Sequence, residues 1–81
     1  MSGYQSLSPA QQRVVDVLRE AQGAFVPNNA LSLRARIGRS SPTFAARRNT
    51  LKVTIHKARQ RWPFLREAIE GEQGSGYRWA A

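Results

Sequence analysis

Glycine and proline divide this chain into a few helix-length pieces and one short hairpin. Pro9, Gly23, Pro27, Gly38, Pro42, Pro63, Gly74 and Gly76 stand where regular structure should start, turn or stop. The chain has 81 residues and no cysteine, so no disulfide can brace it and thiolate metal sites are excluded. A chain of this size buries only about 60% of the surface its unfolded form exposes. One domain and one core are expected, over residues 7–81 behind a flexible lead-in of residues 1–6.

Ser8, Pro9 and Gln11 form a Ser-x-x-Gln capping box with proline at the first helical position. They predict a first helix over about 9–22, with Ala10, Val14, Val17, Leu18 and Ala21 on one apolar stripe and Gly23 as its stop. Residues 24–26 read as a short extended piece, kept so by Pro27. Asn28 or Asn29 can cap a second helix over about 29–37, with Leu31, Leu33, Ala35 and Ile37 apolar and Gly38 the stop. Residues 39–42 are loop by composition. Residues 43–48 fit either more loop or a single helical turn.

Asn49 or Thr50 can cap a third helix over about 50–62, ended by Pro63. Its core face is Leu51, Ile55, Ala58 and Trp62, and Phe64 and Leu65 follow as core anchors. A hairpin over about 68–80 turns at Gly74-Ser75-Gly76, with Tyr77 and Trp79 sharing one face and packed on the core. The fold class is therefore mainly α with a small β-hairpin: three helices and a wing.

Charge separates sharply along this layout. Residues 34–61 hold nine basic side chains and no acid, while the remainder holds four basic residues against five acids. A segregated block of one sign marks a binding face for a polyanion more than it serves solubility. No run of 18 apolar residues is present, and the apolar face of the basic helix is committed to the core, so a membrane role is not expected. A soluble, cytoplasmic, nucleoid-associated protein is the expectation.

The run from Asn49 to Trp62 resembles the recognition helix of the OmpR/PhoB-type winged helix-turn-helix family, whose pattern is close to R-T-V-D-V-H-I-x-R-L-R-K-x-L. Gly74-Ser75-Gly76-Tyr77-Arg78-Trp79 resembles that family's wing signature, and Leu7-Ser8-Pro9 through Leu18, Gly23, Val26 and Leu31 resemble its first helix, connecting strand and second helix. The likeness spans about residues 7–80. It implies a stand-alone DNA-binding domain with neither the family's receiver nor its four-stranded N-terminal sheet. Two further departures are the long link from Gly38 to Asn49 and Gln73, where the family often carries an arginine for the minor groove.

The resemblance implies that the third helix enters the major groove of double-stranded DNA. Lys52 and Lys57 can reach guanine or phosphate, or remain solvated. Val53, apolar on a polar face, can meet a thymine methyl or pack on the loop of residues 39–48. Thr50 and Thr54 can donate to phosphate or a base edge. His56 and Gln60 lie on the groove side, and His56 lacks partners for a metal. Arg39, Arg47, Arg48, Asn49, Arg59 and Arg61 suit phosphates, helped by backbone N–H groups where the chain enters the helix. If six of the basic groups touch phosphates, the salt slope in log K is about −5. Gln73, Ser75 and Arg78 belong to the wing, with Arg78 free for phosphate or paired with Glu70 or Glu72.

These residues predict a sequence-specific bacterial transcription regulator without cofactors, binding as a dimer or in tandem. An architectural DNA-bending protein resembling excisionases is a second reading. A third is an adaptor whose basic face docks RNA polymerase, a sigma factor or another regulator. The first helix, opened by Leu7-Ser8-Pro9, and residues 50–61 also resemble region four of sigma factors, which fits the long link poorly and has no place for the hairpin. No nucleophile–base pair, phosphate loop or metal cluster suggests an enzyme, and Glu67, Glu70 and Glu72 read as a solvated edge.

Overall fold

The structure, a computed structural model, describes residues 7–38, 43–72 and 75–80; of Phe44 and Glu72 only the backbone is described. The lead-in, the loop of residues 39–42 with Arg39, and Gln73 with Gly74 at the hairpin turn lie outside the described residues. In chain order the elements are α1 (Pro9–Glu20), β1 (Val26–Pro27), α2 (Asn28–Arg34), α3 (Phe44–Arg61), α4 (Leu65–Ala68), β2 (Ile69–Glu72) and β3 (Gly76–Trp79). The architecture is mainly helical, with a three-stranded antiparallel sheet in the order β1-β3-β2.

Helix α1 starts as its capping box dictates. Gln11 N donates to Ser8 Oγ at 3.2 Å, and Ser8 N donates to Gln11 Oε1 at 3.0 Å. The helix ends two residues before the expected boundary. Ala21 caps it, and Gln22 and Gly23 both take positive φ, reversing the chain. Val14, Val15, Val17 and Leu18 are buried, while Ala10 and Ala21 are partly buried at the stripe's edge.

Helix α2 departs from expectation at both ends. Pro27, without a side-chain cap, precedes it, so neither Asn28 nor Asn29 is the cap; Asn28 is its first residue and is buried. Its stop is Arg36, not Gly38. Arg36 sits at φ +55, its N–H donates to Leu33 O, and Ile37 N donates to Ser32 O at 2.8 Å. That pair of bonds is the Schellman pattern, which usually employs glycine. Leu33, one of the apolar residues of this segment, is 66% exposed. It lies about 200° round the helix from Leu31, on the opposite side.

Helix α3 is the largest correction. It begins at Phe44 rather than near residue 50, and neither Asn49 nor Thr50 caps it. Thr43 does, accepting from Ala46 N at 3.1 Å. The segment that read as loop or a single turn is therefore the first part of one 18-residue helix, about 27 Å long. Leu51, Ile55 and Ala58 are buried and Trp62 is partly buried against them, as the spacing predicts. Pro63 forces Trp62 into extended backbone, which ends the helix.

The single turn α4, absent from the sequence reading, buries Leu65 and Ala68. Phe64 is no core anchor: it is 57% exposed and stacks on Trp62 at 5.8 Å between centroids. The hairpin pairs Glu70 with Arg78 and Gly71 with Tyr77. Strand β1 adds to its far edge through Val26–Tyr77 and Pro27–Gly76. Glycine is required at position 76, because a Cβ there would collide with the Val26 carbonyl oxygen and reach within 2.8 Å of Pro27 Cα. Tyr77 and Trp79 share a face and pack on the core, as expected.

Candidate functional site

The outer face of α3 is built by helical geometry. With Leu51, Ile55 and Ala58 turned inward, residues near 180° from them are Asn49, Val53, His56 and Gln60, flanked by Lys52 and Lys57. All six are exposed, as are Arg48 and Arg61. The whole of α3 contains no Asp or Glu. The structure thus brings Lys52, Val53, His56, Lys57 and Gln60 onto one surface, where Asn49, expected at phosphate, joins them, while Thr50 and Thr54 are half-buried at its edge.

Val53 is 42% exposed. Residues 43–48, expected as part of a covering loop, continue the helix axis away from it. On one side of this face an open groove runs beside the α1 N-terminus, lined by Ser8, Gln11, Thr50, Val53, Thr54 and Lys57. On the other side a groove separates α3 from the hairpin, lined by Arg48, Lys52, Arg59, Arg66, Glu70 and Tyr77 among others. Asn49 borders both.

The threonines are already committed. Thr50 Oγ1 donates to Ala46 O at 3.0 Å, and Thr54 Oγ1 donates to Thr50 O at 2.8 Å. A phosphate oxygen needs that same proton, so each would have to break a helix-backbone bond first.

Two arginines assigned to phosphate serve the scaffold. Arg59 Nη2 donates to Ile69 O at 2.6 Å, strapping α3 to the start of β2, and its Nε is buried without a partner. Arg47 is half-buried beside Gly38 and the α2 residues Asn28 and Ser32, with its Nε likewise enclosed. Backbone N–H groups near Arg47 are not open to phosphate either, since Arg47 N donates to Thr43 O. The real helix entry lies a full turn earlier.

The hairpin differs. Arg78 places Nη2 2.7 Å and Nε 2.8 Å from Glu70 Oε1, so of the two acids Glu70 is its partner. Ser75 is exposed, and its carbonyl accepts from Asn28 N at 2.9 Å. Arg66, which sequence reasoning passed over, lines the groove because α4 carries it there. No periodic signal marks a one-turn helix, so its position was not readable.

Among the described residues, no cluster of three His, Cys, Asp or Glu gathers for a metal, and no helix is long and apolar enough to cross a membrane. No protein-family model, curated protein or solved structure matches the chain.

Proposed function

We propose that this protein is a winged-helix module that binds double-stranded DNA sequence-specifically and acts in bacterial transcription regulation. Helix α3 would enter the major groove, with the β2–β3 hairpin beside the adjacent minor groove. The observation that carries this reading is the outer face of α3, where Lys52 and Lys57 flank Asn49, Val53, His56 and Gln60 with no acid on the helix. Cations supply affinity for phosphate, while amide, imidazole and methyl groups are the chemistry that tells base edges apart. The element order and the β1-β3-β2 strand order support the winged-helix form. Helix α3 carries six cations and no acid, whereas the described hairpin cation, Arg78, is paired with Glu70.

Selection of bound duplexes from a random pool tests the proposal. A single motif is expected, outcompeting random duplex by at least about 10³-fold. Direct repeats in the motif would indicate tandem binding, and an inverted repeat a two-fold dimer. Equal affinity for every duplex, unchanged by Lys57→Ala and Val53→Ala, would overturn sequence-specific recognition in favour of an architectural role. Binding to polymerase or a sigma factor with none to DNA would favour an adaptor.

A further inference from the structure

We infer that Asn49 is a base-reading residue that selects an adenine, with Val53 one turn later selecting a thymine methyl beside it. This rests on the proposed DNA-binding reading and deepens it. At the start of a helix, Asn49 would be explained by capping. Helix α3 instead begins at Phe44, so Asn49 stands in the helix interior, where asparagine is less favourable than alanine. Nothing local compensates for it. The side chain is exposed and, among the described residues, no hydrogen bond reaches its amide.

The two threonines on the same helix show the contrast. Each satisfies its hydroxyl on the carbonyl four residues earlier. Asn49 alone of the three holds an unspent donor and acceptor, and it does so on the ridge between the two grooves that flank α3. That is the part of the helix able to go deepest into a major groove.

The chemistry of an amide names the ligand. Asn49 Nδ2–H can donate to adenine N7 while adenine N6–H donates to Asn49 Oδ1, a bidentate fit that no other base edge offers in the major groove. Val53 lies four residues on, about 40° round the same face and about 6 Å along the axis. This is within two base-pair steps of about 3.4 Å. A half-exposed methyl-bearing side chain there matches a thymine C5-methyl. The inferred preference is an adenine and a thymine within two steps, flanked by positions read by Lys52 and Lys57.

The test pairs protein variants with single-atom changes in the selected duplex. Replacing the critical adenine with 7-deazaadenine should weaken wild-type binding about 10-fold and leave the Asn49→Ala variant indifferent at that position. Replacing the neighbouring thymine with uracil should weaken wild type a few-fold and leave Val53→Ala indifferent. Asn49→Ala should meanwhile raise the melting temperature, because alanine is the better helix former. That gain separates lost recognition from lost folding. A uniform loss of affinity on every duplex would make Asn49 a phosphate contact and overturn the inference while leaving DNA binding standing. Sensitivity to 7-deazaadenine that persists in Asn49→Ala would also overturn it. Absence of any preferred duplex for wild type would overturn both this inference and the sequence-specific reading beneath it.

Discussion

Helix α3 and the β2–β3 hairpin stand on either side of one groove and treat charge in opposite ways. The helix carries six lysines and arginines and no acid, and several of those cations extend from its exposed face. The hairpin presents one described cation, Arg78, and holds it against Glu70 at 2.7 Å. A paired guanidinium has little left for a polyanion unless the pair opens. An exposed pair of this kind is worth at most about 1 kcal/mol, so opening it costs little and gains little. On the proposed reading, this difference leaves affinity and recognition to α3 and shape to the hairpin. Gly76 reinforces the division: it is glycine because β1 leaves no room for a Cβ, whatever the hairpin touches outside.

Charge removal on α3 should have the largest effect. Lys52→Ala combined with Lys57→Ala should cost at least about 100-fold in affinity for the selected duplex, measured by fluorescence anisotropy, with a stability change under about 0.5 kcal/mol. The hairpin should show the converse. Gly76→Ala should lose about 2 kcal/mol or more of folding stability in denaturant titration, because backbone atoms of β1 must move. Arg59→Ala should lose about 1–2 kcal/mol of stability, since it removes a charged donor from the Ile69 carbonyl. Its salt slope of DNA binding should stay at the wild-type value, which separates a brace from a phosphate contact.

Wild-type salt dependence sharpens the same point. With Arg47 and Arg59 occupied in the scaffold, the exposed Arg48, Lys52 and Lys57 of α3 give a slope of about −2.7 rather than about −5. The smallest effect belongs to the hairpin. Arg78→Ala should change affinity by less than about 3-fold and stability by less than about 1 kcal/mol.

What could be read from the residues follows from how local the governing physics is. The Ser8–Gln11 capping box, the Leu51-Ile55-Ala58 stripe, the stop at Pro63 and the Tyr77/Trp79 face are each set within a few residues, and each forms as read. The start of α3 was not legible because residues 39–42 look like loop and Asn49 looks like a cap. Only the Thr43 bond to Ala46 shows which cap is used. Leu33 stands two residues from the buried Leu31, a spacing that on a helix points a side chain to the opposite side. Phe64 follows a proline that turns the chain, so its ring stacks on Trp62 at the surface.

The candidate site was legible as a face and less so as a list. The exposed set Lys52, Val53, His56, Lys57 and Gln60 follows from periodicity alone once the core stripe is known, whereas Asn49 joins it only because α3 starts at Phe44. The roles of Arg47 and Arg59 were not legible, because a long guanidinium goes wherever a carbonyl and a cleft lie within reach. Those partners, Ile69 and Gly38, belong to other elements. Charge counting along the chain treats all nine cations of residues 34–61 alike; packing does not.

The most direct test of the division between helix and hairpin is a titration of isotope-labelled protein with the selected duplex, read residue by residue by NMR. The largest perturbations should fall on the exposed α3 residues between Arg48 and Arg61, with Arg78 and Glu70 shifting weakly. Perturbations centred on Arg78 and the hairpin, with the outer face of α3 unmoved, would contradict the account.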